Sequence, residues 1–488
     1  MGDIVLLLSI LVPIIVGIGV FFVKNTLARN WIVGSVVAIN SLFMLIILTG
    51  QEIRLELFQL MKTIPILFKV DDLSKIFLSI VAIMWIATAV FAFEYIKHEK
   101  SPERYFGFFL IVLGMLNGIS FSGNLVTFYM MFELMTLTSM PLVLHSLEAN
   151  AIRAGLKYLF YSITGASLGL LGIFYMYQYT DTLEFIPGGT LNLSILAGHE
   201  KYFLVIVFLS LIGFGAKAGL FPLHGWLPTA HPVAPAPASA VLSGIIAKSG
   251  IVAMLRIVFY VVGVDFLRGT WVQYTVISLA LLTVFMGSML AYMEKNLKKR
   301  LAYSTVSQVS YIIVGIFMFT VDGLVGGLLH VIAHAFIKDI LFLTAGAIIY
   351  KAKKTDVSQL RGIGKQMPIT MWCFVIASLG LIGIPPTSGF VSKWFLATGS
   401  LATGLPVLSW LAPVILLVSA LLTAGYLLPI GLNAFLPGDA YDYKKHQKLE
   451  ANCLMTIPMI ALTVASVLIG MFPMQIITFV REIITTIL

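Results

Sequence analysis

Several ionisable side chains lie inside hydrophobic stretches that are long enough to cross a membrane. They are the cations Lys217, Lys248, Arg256, Lys338 and Lys393 and the carboxylates Glu133 and Asp339. A charge at the bilayer centre costs about 2.5–3.5 kcal/mol on insertion scales, so these groups must face inward, pair with one another or contact water. Ionisable residues within membrane segments typically mark ion paths. The pattern therefore indicates ion translocation.

Glu133 lies in the middle of FYMMFELMTLTSMPL, and Lys217 and Lys248 lie among small apolar residues in GFGAKAGLF and SGIIAKSGIV. A lysine in such surroundings can exchange its proton near neutral pH, with Glu133 as a charge partner. Two static interpretations remain open. Glu133 could be a neutral acid bonded to Thr136 or Ser139, or the lysines could simply neutralise it and fix the bundle.

The segment GLLHVIAHAFIKDILFL places His330, His334 and Lys338 at positions i, i+4 and i+8. On a helix these three lie within about 80° of one face and span about 12 Å. Histidine relays protons near neutral pH, so the spacing predicts a relay leading to Lys338. A metal site is disfavoured because no acid or cysteine follows at zinc spacing. Asp339 points about 100° away from Lys338 and could pair with it or face another helix.

Two hydrophobic segments are interrupted by proline and glycine beside a lysine. They read GFGAKAGLFPLHGWLPTAHPVAPAPAS (residues 213–239) and LGLIGIPPTSGFVSKWF (residues 379–395). Proline cannot continue a regular helix, and unwound backbone at membrane depth is tolerated only inside protein or beside a cavity. Lys217 precedes the first break and Lys393 follows the second. The sequence therefore predicts two matching ion sites on broken helices.

The elements that position these groups are membrane helices. Of the 488 residues, 59% are hydrophobic and 11% are charged, against about 25% charged in soluble proteins. We predict fourteen spanning segments, near residues 4–23, 31–50, 73–93, 105–121, 125–144, 157–178, 202–221, 238–260, 271–293, 301–319, 324–349, 368–397, 406–430 and 453–473. The tenth segment carries a polar stripe, to which we assign no specific chemistry: Tyr303, Ser304, Ser307, Gln308 and Ser310. Alternating apolar and polar residues between Gln51 and Lys75 predict a short strand or hairpin.

The net charge of +9 does not indicate nucleic acid as a partner, because most Lys and Arg residues lie in odd-numbered loops. The positive-inside rule places those loops in the cytoplasm and both termini outside a multi-pass plasma-membrane protein. Arg256 lies near the outer end of its segment, where snorkelling to the interface is the favoured interpretation. Cys373 and Cys453 form no CxxC pair, and no phosphate-binding loop motif is present. We expect no metal and no cofactor in this chain.

Three sequence runs resemble a known family. They are KAGLFPLHGWLP from Lys217, HPVAP from His231, and HxxxHAxxK from His330 to Lys338. Over nearly its whole length the chain resembles the antiporter-like subunits shared by Mrp-type Na⁺/H⁺ antiporters, respiratory complex I and membrane-bound hydrogenases. The resemblance implies an all-α integral membrane protein of about fourteen helices. From the two broken segments themselves we expect segments 4–8 and 9–13 to form two five-helix repeats, each with a broken helix and inverted because five is odd. Lysine at position 393 fits the Mrp D-type and hydrogenase-linked members better than complex I members with an acid there.

The resemblance also assigns roles to residues. Glu133 resembles the family's fifth-helix glutamate, Lys217 its partner on the broken seventh helix, and Lys248 the connecting lysine. His330, His334 and Lys338 resemble the central relay, and Lys393 the terminal group on the broken twelfth helix. Asp339 is a departure, because an apolar or small residue is usual there.

From the segment positions we expect four parts: three N-terminal helices (1–104), two half-channels (105–260 and 271–430) and a C-terminal helix with a tail (431–488). The resemblance implies protons, with or without Na⁺, as cargo. It implies as partners homologous antiporter-like subunits, small membrane subunits and, in redox-driven complexes, a redox arm. Two other classes stay open: a stand-alone secondary transporter of an organic solute, which would work without sister subunits, and a scaffold whose lysines are replaceable.

Overall fold

The computed structural model describes residues 2–61, 63–438 and 448–488 of the chain, and this part is nearly all helical. In chain order the α-helices are α1 (Gly2–Val20), α2 (Thr26–Thr49), α3 (Asp72–Tyr95), α4 (Pro102–Phe121), α5 (Leu125–Val143), α6 (Ala149–Tyr179), α7 (Leu193–Leu196), α8 (Glu200–Ala218), α9 (Leu227–Val233), α10 (Ala236–Gly244), α11 (Ser249–Arg256), α12 (Val264–Leu267), α13 (Trp271–Met293), α14 (Leu297–Phe317), α15 (Val321–Ala352), α16 (Ile363–Gln366), α17 (Pro368–Ile382), α18 (Ser388–Leu401), α19 (Leu408–Phe435), α20 (Cys453–Met471) and α21 (Met474–Ile487). Short 3₁₀ turns cover Ile96–His98, Ile246–Lys248 and Val357–Leu360.

Twelve helical segments in the described part of the chain are long and apolar enough to cross a membrane. Each coincides with a predicted segment. The other two predicted segments are α14, which begins with three cations after Leu297, and the pair α17 and α18. The multi-pass, all-helical prediction is confirmed. Residues 439–447 of the predicted polar connection 431–452 lie outside the described residues.

The predicted hairpin is present between α2 and α3. Strand β1 (Arg54–Met61) pairs antiparallel with β2 (Ile64–Lys69). Arg54 forms a two-point ion pair with Glu184, at 2.8 Å for each N–O contact, and so joins the hairpin to the loop after α6. The hairpin covers one end of the bundle and contains none of the ionisable groups of the predicted path.

Side-chain caps define where several site-bearing helices begin. Asp71 accepts a hydrogen bond from the backbone N–H of Ser74 (2.9 Å), and Asn124 accepts one from Thr127 (2.7 Å). Thr320 caps α15 in the same way. Such caps satisfy backbone donors that have no partner within the helix. They fix the first turns of α3, α5 and α15. They therefore also fix where along each helix axis the following side chains lie.

Both predicted helix breaks are confirmed. Helix α8 ends at Ala218 because Gly219 adopts φ +82°, and α9 resumes the segment at Leu227. Helix α17 ends at Ile382, where Gly383 adopts φ +91°, and α18 begins at Ser388. Glycine is the residue that takes this left-handed backbone conformation without a steric cost. Lys217 precedes the first break and Lys393 follows the second, as predicted.

A third break, in the eighth spanning segment, was not predicted. Helix α10 ends at Gly244, Ile245 adopts φ −135° and ψ −54°, and a 3₁₀ turn ending at Lys248 leads into α11. The last turns of this segment, Ile257–Val262, are a π-helix. The eighth segment is completely surrounded by protein, and α15 is 89% buried over its most apolar stretch. The central helices are thus shielded from lipid by protein, and an irregular backbone is tolerated in such protein-enclosed positions.

Candidate functional site

The first buried cation lies at the carboxyl end of α8. Lys217 is 1% exposed, and its Nζ donates hydrogen bonds to Thr136 Oγ1 (2.9 Å), Tyr158 OH (2.6 Å) and Ser162 Oγ (3.3 Å). A cation at this end of a helix interacts favourably with the helix dipole. The ammonium is therefore held by neutral oxygens from α5 and α6 and by the end of its own helix.

Aromatic rings complete this site. Lys217 Nζ lies 4.3 Å from the ring centre of Tyr158 and 5.6 Å from that of Phe132. Trp226, in the break after α8, packs against Tyr158 with 4.8 Å between ring centres, and its indole N–H donates to the carbonyl of Ala216 (2.8 Å). The break therefore positions an aromatic side chain that fixes the tyrosine on which the lysine rests.

Glu133 is half-buried on α5 and interacts with Lys217 through its charge rather than by contact. The ion pairs formed among the described residues do not include one between these two side chains. The interpretation that Thr136 or Ser139 satisfies Glu133 is wrong, because these hydroxyls contact Lys217 and Tyr158 instead. Glu133 is thus free of a locking contact with the lysine.

Lys248 lies at the unpredicted break of the eighth segment. Its Nζ donates to the backbone carbonyls of Ser243 (2.9 Å) and Gly244 (2.5 Å), which the change of helix type leaves accessible. The hydroxyl of Ser243 lies 2.7 Å from that of Thr305 on α14. This contact joins the break that holds Lys248 to α14, the helix that carries the polar stripe.

The predicted relay on α15 faces that stripe. Lys338 Nζ donates to the carbonyl of Leu301 (3.0 Å) and to the hydroxyl of Ser304. His330 contacts Gln308 (3.2 Å) with one ring nitrogen and Ser392 (2.9 Å) with the other. The stripe, for which the sequence suggested no specific chemistry, therefore supplies partners to both ends of the relay.

His334 occupies the middle of the relay. Its ring centre lies 6.0 Å from that of His330, and it is fully buried. Neither of its ring nitrogens has a hydrogen-bond partner within the described chain. Buried polar atoms are rarely left without a partner, and ordered water is the usual solution. An imidazole in this state can both accept a proton and donate one.

Lys393 ends the row on α18. Its Nζ donates to the carbonyls of Leu381 (2.6 Å) and Ile382 (2.9 Å), the last residues of α17, and lies 5.0 Å from the ring centre of Tyr311. The same ring also stacks on His330, at 5.4 Å between ring centres. The terminal lysine thus binds the carboxyl end of the preceding half-helix, whereas Lys217 binds side-chain hydroxyls, and it connects to the relay through the ring of Tyr311.

For the remaining buried charges, the structure corrects the prediction for Arg256 and decides between the two alternatives for Asp339. Arg256 does not snorkel: it is 2% exposed and forms a two-point ion pair with Asp71, with Nη2–Oδ1 at 2.8 Å. The sequence could not show this, because Asp71 is 185 positions away. Asp339 does not contact Lys338; its carboxylate faces Gly244 and Thr88 on two other helices.

One buried lysine was missed. Lys298, at the start of α14, is 5% exposed and donates to the carbonyls of Ala234 and Pro232 beside α10. Its place in the basic run KNLKKR suggested a cytoplasmic loop. The one available signal was that the hydrophobic tenth segment begins at Leu301, directly after this basic run. Among the described residues, no group of three or more His, Cys, Asp or Glu side chains is arranged to hold a metal ion.

The fold and the site define a class: a multi-pass membrane protein with a row of buried lysines and histidines on broken and central helices. Residues 122–423 match the family model described as NADH:quinone oxidoreductase/Mrp antiporter, TM. The chain belongs to this family. The resemblance stated from the sequence is thereby confirmed.

Individual relatives agree with this assignment. The N-type subunit of the NADH-quinone oxidoreductase of Desulforudis audaxviator is 34% identical, over 85% of this chain and 83% of the relative. The D-type subunit of the Na⁺/H⁺ antiporter of Alkalihalophilus pseudofirmus is 28% identical, over 94% of this chain and 92% of the relative. A protein in the structure of the Mrp complex from a Dietzia species has the same fold, with a TM-score of 0.86, 22% identity and coverage of 100% of this chain and 97% of that protein.

Proposed function

We propose that this chain is an ion-translocating membrane subunit of a multisubunit complex. The ion path consists of Glu133, Lys217, Lys248, His330, His334, Lys338 and Lys393. One observation carries the proposal: within the described chain the four lysines of this row contact only hydroxyls, backbone carbonyls and rings, and none forms a contact ion pair. An ammonium without a bound carboxylate can lose its proton without leaving an uncompensated anion behind.

Protons are the ion that this row favours. Each member is an ammonium, an imidazole or a carboxyl group, and hydroxyls contact several of them: Tyr158 contacts Lys217, and Ser304 contacts Lys338. Such groups accept and release protons at almost no geometric cost. Because a named relative belongs to a Na⁺/H⁺ antiporter, exchange for Na⁺ is part of the same proposal and is measured separately below.

The driving event is electrostatic. At an effective dielectric constant near 20, two unit charges interact by about 4 kcal/mol at 4 Å and by about 2 kcal/mol at 8 Å, so moving Glu133 relative to Lys217 by a few ångström changes the free energy by about 1–2 kcal/mol. Movement in a partner subunit separates the pair, and Lys217 passes its proton towards Lys248 and the α15 relay. Lys393 is half-buried and adjoins a cavity of about 220 Å³, so we assign it as the group that exchanges the ion.

The arrangement in the membrane belongs to the same proposal. We assign residues 105–260 and 271–430 to two half-channels, each with one broken helix, and place both termini outside the plasma membrane according to the positive-inside rule. The partners are homologous antiporter-like subunits and small membrane subunits, since the relatives are named as subunits of larger assemblies. None of the contacts made by the residues of the ion path favours the two other classes, a solute carrier or a passive scaffold.

The test is ion transport by the intact complex in sealed vesicles, followed with a pH-sensitive dye and, in parallel, with radioactive Na⁺. Lys217→Ala removes a positioned proton donor and acceptor, which lowers rates by about 100-fold or more. Lys201→Ala is the matched control, because Lys201 is exposed at the other end of the same helix. Equal proton and Na⁺ transport in both assembled variants would contradict the proposal. Na⁺ transport that depends on Lys217 would show that Na⁺ exchange is coupled to the proton path of this chain.

A further inference from the structure

Asp339 is a buried carboxylate that the ion path described above does not use. It is fully buried on α15, directly after Lys338, and points about 100° away from Lys338 around that helix. Thr88 on α3 donates a hydrogen bond to its Oδ2 (3.4 Å), whereas its Oδ1 has no hydrogen-bond partner among the described residues. A buried carboxylate with one unpartnered oxygen is costly, and so calls for a compensating charge nearby.

The compensating charge is Lys248. Asp339 Oδ1 packs directly on the backbone of Gly244, where a Cβ atom would lie 2.2 Å from it. The carbonyl of the same Gly244 accepts a hydrogen bond from Lys248 Nζ at 2.5 Å. The carboxylate and the ammonium therefore approach the same glycine at the break of the eighth segment. The ion pairs formed among the described residues do not include one between these two side chains. Opposite charges that are buried on either side of one glycine stabilise each other's ionised form.

This arrangement repeats the one in the first half of the bundle. There, Glu133 attracts Lys217 without contacting it. Lys248 also repels Lys338 on the neighbouring helix, so two protonated lysines in this region need an anion. Among the described residues, Asp339 is the carboxylate whose charge acts on Lys248.

We propose that Asp339 is a positioning residue of the ion path, which holds the protonated Lys248 at the break of the eighth segment. This inference rests on the proposed function and adds a second carboxylate–lysine pair to it. Through Thr88 the pair also contacts α3, so the N-terminal helices are in contact with the path at this point. A Cβ atom at position 244 would lie 2.2 Å from Asp339 Oδ1, so a larger residue there would displace either the carboxylate or the helix backbone.

The experiment measures proton transport by the intact complex in vesicles for Asp339→Asn, Lys248→Ala and the double variant. A neighbouring buried carboxylate such as Asp339 changes the proton affinity of a lysine such as Lys248 by about tenfold or more. Asp339→Asn is therefore expected to slow transport by about tenfold. If Asp339 acts through Lys248, the double variant is as slow as Lys248→Ala alone. Losses that multiply in the double variant would overturn the proposal, because a purely structural role gives independent losses.

Two further variants keep the outcome decisive. Asp339→Glu retains the charge and is expected to restore most of the rate. Asp322→Asn, in the first turn of the same helix and partly exposed, is expected to match wild type. If Asp339→Asn does not assemble, Thr88→Val replaces it in the cycle with Lys248→Ala. Wild-type transport in Asp339→Asn, together with loss in Lys217→Ala, would refute the role of Asp339 and leave the proposed function standing.

Discussion

Arg256 and Lys217 are both cations buried in membrane-spanning segments, and both lie over two aromatic rings. Arg256 is 4.5 Å from the ring centre of Tyr260 and 4.8 Å from that of Phe185, which is close to the ring environment of Lys217. The difference is the anion. Arg256 forms a two-point contact with Asp71 and a hydrogen bond to Ser74 (3.1 Å), whereas the hydrogen bonds of Lys217 go to hydroxyls alone.

The contrast separates two uses of a buried charge. A guanidinium stays protonated at physiological pH and matches a carboxylate in a two-point contact, so the Arg256 pair ties the eighth segment to the start of α3. A lysine can release its proton when it is buried, and neutral oxygens around it can hold either form. The first arrangement holds helices together, and the second allows a charge to come and go.

The largest expected effect is the loss of folding stability when the Arg256–Asp71 ion pair is broken. Asp71→Ala leaves a buried guanidinium without its anion, which costs about 3 kcal/mol of folding stability. We expect a corresponding drop in the thermal unfolding midpoint of the detergent-solubilised complex. Asp72→Ala is the control, because Asp72 is 54% exposed in its pair with Lys75 and such pairs contribute about 1 kcal/mol or less. Equal midpoints for the two variants would show that the Arg256 pair is not a structural tie.

The next effect is the pH dependence of the stability that the Arg256–Asp71 ion pair contributes. Burial alone would raise the pKa of Asp71, but the charge and hydrogen bonds of Arg256 and the bonds from Ser74 lower this pKa from 3.8 to about 2. Because the folded-state pKa is lowered, the stabilisation is complete above the unfolded pKa and is lost as the pH falls from about 4 to about 2. The loss amounts to about 2 kcal/mol.

Acid titration of the unfolding midpoint in wild type and in Asp71→Asn isolates this contribution. Other carboxyl groups titrate equally in both proteins, so the difference between the two curves belongs to Asp71. We expect the difference between the curves to shrink from about pH 4 downward and the curves to converge at about pH 2. Parallel curves over the whole range would contradict the assigned pair.

The smallest effect concerns the neutral oxygens around Lys217. Tyr158→Phe keeps the ring under the ammonium but removes the hydroxyl at 2.6 Å, and a hydrogen bond of this kind contributes about 1 kcal/mol, or about a fivefold change in rate. Transport by the assembled complex should slow by that factor. Tyr175→Phe, on an exposed face of the same helix, should leave it unchanged. A larger loss of assembly than of transport would mean that Tyr158 is structural.

Much of the fold followed from the sequence. Hydropathy located the spanning segments, the prolines and glycines located the breaks after Lys217 and before Lys393, and alternation located the hairpin. These features depend on neighbouring residues along the chain. The break before Lys248 was not predicted, because SGIIAKSGIV contains no proline and its irregular backbone is set by packing against surrounding helices.

The partners of the buried charges were harder to predict. Motif spacing placed His330, His334 and Lys338 on one face, and the structure shows that face against α14. The pairings Arg256–Asp71 and Asp339–Gly244 join residues far apart in sequence, and only the arrangement of helices brings them together. Thr136 and Ser139 were assigned to the wrong charge because their nearest titratable neighbour in sequence is Glu133.

The most direct measurement gives Lys217 the kind of partner that Arg256 has. Thr136→Asp places a carboxylate where a hydroxyl now lies 2.9 Å from Lys217 Nζ. Thr136→Asn, the control, places there an uncharged side chain with the shape of aspartate. A contact carboxylate stabilises the charged ammonium, so proton transport by the assembled complex in vesicles should fall by about tenfold or more in Thr136→Asp relative to Thr136→Asn. Equal rates in the two variants would contradict the claim that the lysines conduct because they lack a contact anion.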